Sequence, residues 1–315
     1  MNTSATTTHL ILDHIFHPSD FTPASEIAFA HALKLALIAQ AELSIMHVAA
    51  DVDDMHWGDF PGVRSTLARW GILPEGSAQD EVVKLGLNVE KILSTKADPV
   101  DSILSYLEDS PANLVVLATH QREGLARWLH KAVAEPIARR SKTMTLFVPQ
   151  GVEGFIALDN GAVTLRRILI PIDQVPCPQA AVEAAAGLAL TLGCNEVAFT
   201  LVHVGAPEEM PAVHEPHQEG WTWDRAVRQG SVVEQILEIG AACSADLIVL
   251  TTQEHDGLLD ALWGSTAERI LRGARCPVLA IPTQAGEGGT SQCPPLTPPE
   301  MAKITTKSLP GLRPS

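Results

Sequence analysis

The chain is short of positive charge. Its 315 residues carry 22 Lys and Arg against 37 Asp and Glu, a formal net charge of −15. Phosphate backbones are held by clustered Lys and Arg, so this balance argues against a nucleic-acid partner. It also slows the approach of anionic ligands, although backbone amides can still hold an anion. Cysteine is sparse and unpatterned: Cys177, Cys194, Cys243, Cys276 and Cys293 form no CxxC pair and no His/Cys ligand spacing. The expectation is reduced thiols, with no disulfide framework and no zinc site. No apolar run approaches the roughly 18 residues of a membrane span. The start, MNTSATTTHL, lacks a basic n-region and a long apolar core, so no signal peptide and a cytoplasmic location are expected. The GxSxG elbow, the HExxH pair and the GxxxxGK[ST] loop are all missing, and no Ser/His/Asp or Cys/His set stands out.

What is present is a repeat. Residues Ala112–Pro149 and Ala245–Pro282 overlay without a gap, matching Leu114 to Leu247, Val116 to Val249, Leu117 to Leu250 and Thr119 to Thr252. Gly124 and Gly257, Glu135 and Glu268, Ile137 and Ile270, and Pro149 and Pro282 also coincide. Matches running through apolar, loop and helical positions alike mean that one unit occurs twice. Two units of about 150 residues fit the chain length, and an apolar fraction of 46 % allows each a core.

Each half alternates short apolar strands with helical periodicity. In the first, strands are expected at His14–Pro18, Glu42–Val48, within Val82–Ser94, at Leu114–Thr119 and at Met144–Pro149. Helices are expected at Ser25–Ala39, Pro99–Glu108 and Val133–Ser141, the second opened by Asp98 as cap and Pro99 in the first turn. Asp51–Asp80 reads as loops with a short helix. In the second half, strands are expected at Arg167–Ile172, Glu196–Val204, Asp246–Thr251 and Pro277–Pro282. Helices are expected at Gln179–Leu192, Val232–Ala242 and around Thr266–Arg272, with Gly205–Asp224 irregular. This order predicts an α/β fold: two tandem doubly wound domains, each with a mainly parallel five-stranded sheet flanked by helices.

Between the halves, Asp159-Asn160-Gly161 sits between Phe155–Leu158 and Ala162–Leu165, a hairpin signal. The expected division is domain one at 1–150, a β-hairpin linker at 151–166, domain two at 167–282 and a disordered tail at 283–315, rich in Gly, Pro, Ser and Thr. The apolar strands Met144–Pro149 and Pro277–Pro282 close the units, and edges of that kind tend to be covered by pairing.

In this order the motifs resemble those of the universal stress protein family in its tandem form. The first element carries His17-Pro18-Ser19-Asp20 and Pro171-Ile172-Asp173, and the second His47-Val48 and Val202-His203-Val204. The third carries Leu117-Ala118-Thr119-His120 and Leu250-Thr251-Thr252-Gln253, followed by Gly264-Ser265-Thr266-Ala267-Glu268-Arg269. The resemblance covers about residues 10–149 and 166–282 and lies in the ordered combination. It implies that the closing strands pair across a pseudo-two-fold within the chain, with a homodimer as a further possibility. It also implies an adenine nucleotide (ATP, ADP or AMP) in the second half. There Asp173 would face the adenosine, Gly264 and Ser265 the phosphates, and Thr251 through Glu254 would form an altered loop, with Val204 and Thr266 completing the set.

The family's glycine loop has the form G-x-x-G-x9-G-[ST]. The first half has Ala118, Gln121 and Lys131-Ala132 at those positions, so its nucleotide site is expected to be defunct although Asp20 remains. The second half keeps Gly264 and Ser265 but has Thr251 and Glu254 at the first two positions. Two like charges about 4 Å apart in a surface-like dielectric oppose each other by roughly 4 kcal/mol, which disfavours a triphosphate beside Glu254. Each residue also has a purely structural explanation. Ser265-Thr266-Ala267-Glu268 is a capping box that starts a helix without any ligand, and Asp20 and Asp173 suit turn or N-cap acceptors.

His214-Glu215-Pro216-His217 is a weak metal candidate, because proline prevents helical pairing of the two imidazoles. His14 and His17 are an odd number apart and share no strand face, while His47 and His203 occupy matching places that suggest a structural role. Trp57, Trp70, Trp221 and Trp223 fall in the irregular segments; packing over the sheet is expected, with a hydrophobic pocket or a partner surface as the alternatives. The leading function is a non-catalytic stress-response protein sensing a nucleotide. The alternative is an adaptor acting through an unknown protein partner, and slow nucleotide hydrolysis lacks a visible base or metal ligand.

Overall fold

A computed structural model of the protein describes residues 10–49, 57–95, 98–119, 134–253 and 265–283. The chain divides into two compact units, Ile11–Thr164 and a second built on residues from Leu165 onward.

In the first unit the strands are β1 (His14–Pro18), β2 (Glu42–Val48), β3 (Asn88–Ser94), β4 (Leu114–Thr119) and β5 (Met144–Pro149). They lie in the order β3-β2-β1-β4-β5, and every pairing is parallel. The helices are α1 (Pro23–Ala39), α2 (Val63–Arg69), α3 (Gln79–Lys84), α4 (Pro99–Asp109) and α5 (Ala134–Ser141). Four of the five strands match the expected bounds. The third starts at Asn88, because Val82 belongs to α3. The 57–84 stretch holds a 3-10 turn and two short helices where one was expected.

Helix α1 is apolar nearly all round (A-x-x-I-A-F-A-H-A-L), which suits a helix buried over a parallel sheet. Ala28, Ala30, Ala32, Leu33, Leu35 and Ala36 are fully buried. Thr22 caps it by accepting from the Ser25 amide at 3.3 Å, and Pro23 stands in the first turn, where a missing N–H costs nothing. Asp98 caps α4 as expected, accepting from the amides of Val100 (2.9 Å) and Asp101 (3.4 Å).

In the second unit the strands are β6 (Arg167–Pro171), β7 (Val197–Val204), β8 (Trp221–Arg228), β9 (Leu247–Gln253) and β10 (Val278–Thr283). The order is β10-β9-β6-β7-β8, again wholly parallel. Helices α6 (Gln179–Thr191), α7 (Val232–Ala242) and α8 (Ser265–Gly273) connect them. The repeat extends to hydrogen bonds at the strand starts. Asn113 Oδ1 accepts from the amides of Asp13 and His14, and Asp246 Oδ2 accepts from those of Arg166 and Arg167, all at 2.8 to 2.9 Å.

One correction concerns β8, which falls partly in the stretch expected to be irregular. Its sequence W-T-W-D-R-A-V-R places Thr, Asp and Arg among its apolar residues, and edge strands often carry such charge. That composition hides the strand from an apolar-run criterion. Its tryptophans pack on the sheet as expected: Trp223 stacks on Phe199 at 4.1 Å and 8°, and Trp221 lies 5.1 Å from the same ring. A second correction concerns cysteine. Cys177 is disulfide-bonded, against the expectation of reduced thiols throughout, whereas Cys194, Cys243 and Cys276 are free.

The segment expected as a linker hairpin forms one antiparallel bridge, Ile156 to Val163, with Gly161 at φ +66 in the turn. It is built into the first unit. His31 Nδ1 donates to the Ile27 carbonyl at 2.8 Å, leaving Nε2 to accept from the amides of Phe155 (3.0 Å) and Ile156 (3.3 Å). Trp70 Nε1 donates to the Leu158 carbonyl at 3.1 Å, and Phe155 and Ile156 are fully buried. The expected tail beyond Thr283 lies outside the described residues.

Candidate functional site

In an open α/β sheet, ligands bind beyond the carboxyl ends of the strands where the strand order reverses. In the second unit that point lies between β6 and β9, since the chain runs outward through β7 and β8 and then returns to β9 and β10. The expected residues Asp173, Val204 and Thr251 all sit at this end of the sheet: two residues past β6, at the last position of β7, and within β9.

The turn that carries Asp173 is fixed by backbone and imidazole together. The Ile172 amide donates to the Val202 carbonyl at 2.8 Å, and His203 Nδ1 donates to the Ile172 carbonyl at 3.2 Å. The first unit repeats this, with the Ser19 amide on the Met46 carbonyl at 2.8 Å and His47 Nδ1 on the Ser19 carbonyl at 2.7 Å. The matching histidines thus share one structural task, as expected. Asp173 itself is exposed, and its Oδ1 accepts from the Gln174 amide at 2.7 Å. Its counterpart Asp20 accepts from both the amide (3.1 Å) and the hydroxyl (2.7 Å) of Thr22, the turn role foreseen for it.

His203 is 3 % exposed, yet its Nε2 has no hydrogen-bond partner. A buried unpaired nitrogen costs about 1–3 kcal/mol, so it marks a place where the protein's own hydrogen bonding falls short. Gly205 leaves room beside it: a Cβ there would stand 2.7 Å from Nε2 and 3.5 Å from Glu209 Oε2. Gln174 Nε2 donates to the Glu209 carbonyl at 2.9 Å and holds the 3-10 turn Pro207–Glu209 against the β6 end. Sequence reasoning missed Gln174, Gly205 and Glu209. Only Gly205, directly after the His-Val strand end, carried a signal.

On the β9 side, Thr251 is half-buried, and Thr252 is buried with its hydroxyl 3.4 Å from the Ile281 carbonyl. Helix α8 begins at Ser265, as the capping-box sequence predicts, with Thr266 exposed in its first turn. Glu254 and Gly264 lie outside the described residues, as does the side chain of Ser265. The same holds for Gln121, Lys131 and Ala132 of the first half. His17 of the first unit is wholly buried, and its Nδ1 donates to the Val116 carbonyl at 2.8 Å, tying β1 to β4. Burial lowers its pKa to about 4, against the raising effects of that hydrogen bond and of Asp20. Among the described residues no three His, Cys, Asp or Glu side chains are grouped to hold a metal ion, and no helix is long and apolar enough to cross a membrane.

The sequence model of the universal stress protein family matches residues 12–149 and 218–282. The chain belongs to the universal stress protein family. Universal stress protein MJ0531 of Methanocaldococcus jannaschii is 28 % identical over 144 residues, which is 39 % of this chain and 85 % of that protein. Among solved structures, a universal stress protein from Archaeoglobus fulgidus superposes with a TM-score of 0.53 at 15 % identity, covering 85 % of this chain and 97 % of the other. A functionally unknown protein from Pseudomonas aeruginosa gives 0.54 at 12 % identity, covering 86 % and 92 %. At such identities the structural likeness concerns the fold.

Proposed function

We propose that this universal stress protein is a non-catalytic stress-response protein of the cytoplasm whose second unit senses an adenine nucleotide. The observation that carries the reading is the meeting of strand ends at the β6/β9 switch point. Asp173, Val204 and Thr251 stand at that end of the sheet, and the strand β7 that ends at Val204 also carries His203, whose buried Nε2 lacks a partner. These residues fit the group. A carboxylate suits ribose hydroxyls or an amine, and the start of the nine-residue helix α8, with Gly264-Ser265 before and at it, suits a phosphate. Glu254 adds negative charge, so AMP is favoured over ATP.

Calorimetric titration of ATP, ADP and AMP into the full chain tests this. One AMP per chain is expected, weakened at least tenfold by Gly264→Val. No binding up to about millimolar concentration refutes the sensor. An adaptor role, with a homodimer as the working assembly, then takes its place. The feature that favours it is Trp57, a large apolar side chain left 63 % exposed. Light scattering reports the assembly.

A further inference from the structure

One buried nitrogen at the end of β7 goes unused by the protein's own bonding. His203 Nδ1 donates to the Ile172 carbonyl at 3.2 Å, so the ring hydrogen sits on Nδ1 and Nε2 presents a lone pair. That nitrogen is buried and finds no hydrogen-bond partner among the described residues. The Gly205 amide donates to the Arg228 carbonyl at 2.9 Å and carries the strand one residue further. His203 and Gly205, two positions apart, therefore share a face. A Cβ on Gly205 would stand 2.7 Å from His203 Nε2 and 3.5 Å from Glu209 Oε2. Two acceptors, one of them a carboxylate, thus flank a single point at which the chain places no side chain.

The first unit closes the same place. When the two His-Val strand ends are overlaid, Ala49 stands where the second unit has Gly205, and Ala49 is buried. Phe21 stacks on His47 at 4.1 Å and covers that imidazole. The second unit has Gln174 in place of Phe21, and the Gln174 side chain turns to the Glu209 carbonyl at 2.9 Å. The Gln174 amide in turn donates to Asp173 Oδ1 at 2.7 Å. Contacts therefore run without a break from Asp173 through Gln174 and Glu209 to Gly205 and His203.

The paired acceptors select the chemistry that meets them. A carbonyl or a phosphate would set lone pairs against lone pairs and against the Glu209 charge. A hydroxyl has one hydrogen and satisfies one acceptor. An amino group has two hydrogens and can give one to each. A metal ion would need further protein ligands, and among the described residues no three His, Cys, Asp or Glu side chains are grouped for one.

We propose that His203 Nε2 and Glu209 Oε2 read the exocyclic amine of the adenine base and so select adenine over hypoxanthine nucleotides. This selection rests on the nucleotide reading of the second unit and specifies what that site recognises. The amine enters where the Glu209 side chain lies. Glu209 is exposed on a three-residue turn, so its rotation gives up little packing.

The test is calorimetric titration of the full-length protein with AMP, with IMP, in which a carbonyl replaces the amine, and with the dimethylamino analogue of AMP, which lacks both hydrogens. AMP should bind at least about tenfold tighter than either relative, because a site built to bond an N–H rejects analogues without it. His203→Asn keeps a donor in the place of Nδ1 and removes Nε2, and Glu209→Ala removes the carboxylate from an exposed position. Each should cut the preference for AMP over IMP at least about threefold and leave IMP binding no weaker than in the parent. Absence of binding by all three nucleotides refutes the sensor and the selection together. Equal binding of AMP and IMP, or folded His203→Asn and Glu209→Ala proteins with the parent's preference, refutes the selection and leaves the sensor standing.

Discussion

The first unit is expected to lose its hairpin in acid, and His31 sets where. Its ring is fully buried, and burial lowers its pKa to about 4, against the raising effect of the hydrogen bond to the Ile27 carbonyl. The geometry explains why the neutral form is required. With Nδ1–H committed to Ile27, Nε2 must keep its lone pair to accept from Phe155 and Ile156. A proton on Nε2 would point a donor at two donors.

The sign follows from linkage. The unfolded chain takes up this proton below pH 6.5, while the folded chain resists it down to about pH 4. Stability from this group is therefore complete above about pH 6.5 and is lost as pH falls through that window. At about 1.4 kcal/mol per pH unit, the loss is roughly 2 kcal/mol at pH 5 and about 3 kcal/mol by pH 4. His17, also lowered to about 4, adds a parallel loss within the same unit.

Hydrogen exchange at the Phe155 and Ile156 amides, the two protons that His31 receives, gives a local readout. After correction for intrinsic rates, their protection should fall nearly tenfold per pH unit between about pH 6.5 and 4.5. His31→Gln keeps an acceptor without a titrating proton, so it should lower protection at pH 7.5 and flatten the pH dependence by about one proton. Equal pH slopes in parent and variant would refute the reasoning.

Other outcomes follow from the same packing. Gly154→Ala should destabilise the first unit by more than about 1 kcal/mol in urea unfolding, because Gly154 sits at φ +74 and an added Cβ would collide with the His31 ring. Phe199→Ala should cost the second unit about 3–5 kcal/mol, since Phe199 is fully buried and carries both β8 tryptophans; thermal melts monitored by tryptophan fluorescence check it. Burial pushes the Cys276 thiol up to about 12 from 9.0, so iodoacetamide at pH 7.5 should label it at least a thousandfold more slowly than an unfolded thiol. Mass spectrometry with and without urea reads the difference.

What the sequence made legible depended on how each residue is held in place. Strands such as Leu114–Thr119 and Leu247–Gln253 are buried on both faces, so they read as apolar runs, and the repeat counted each one twice. Strand β8 failed that criterion because an edge strand needs only partial burial: its first half, through Asp224, fell in the stretch read as irregular, and Arg225 and Arg228 break up the rest of any apolar run. The partner of the hairpin was illegible for a different reason. His31 and Phe155 are 124 residues apart, and neither differs in type from an ordinary helix histidine or loop phenylalanine. Their pairing is a tertiary fact that no local pattern encodes.

The candidate site was legible to the same degree. Asp173 and Val204 could be placed because strand ends fix them, and the helix start at Ser265 because its cap sequence fixes it. His203 was expected to be structural and is, through Nδ1, but its second nitrogen could not be foreseen to lack a partner. The comparison of the two halves adds what neither half shows alone. Each holds the same imidazole to the same turn carbonyl, yet Phe21 stacks on His47, while no aromatic ring of the described residues covers His203. Divergence after duplication has therefore acted on what touches that imidazole and spared the bond that holds it. That is the pattern expected if the two units kept one scaffold and came to serve different ligands.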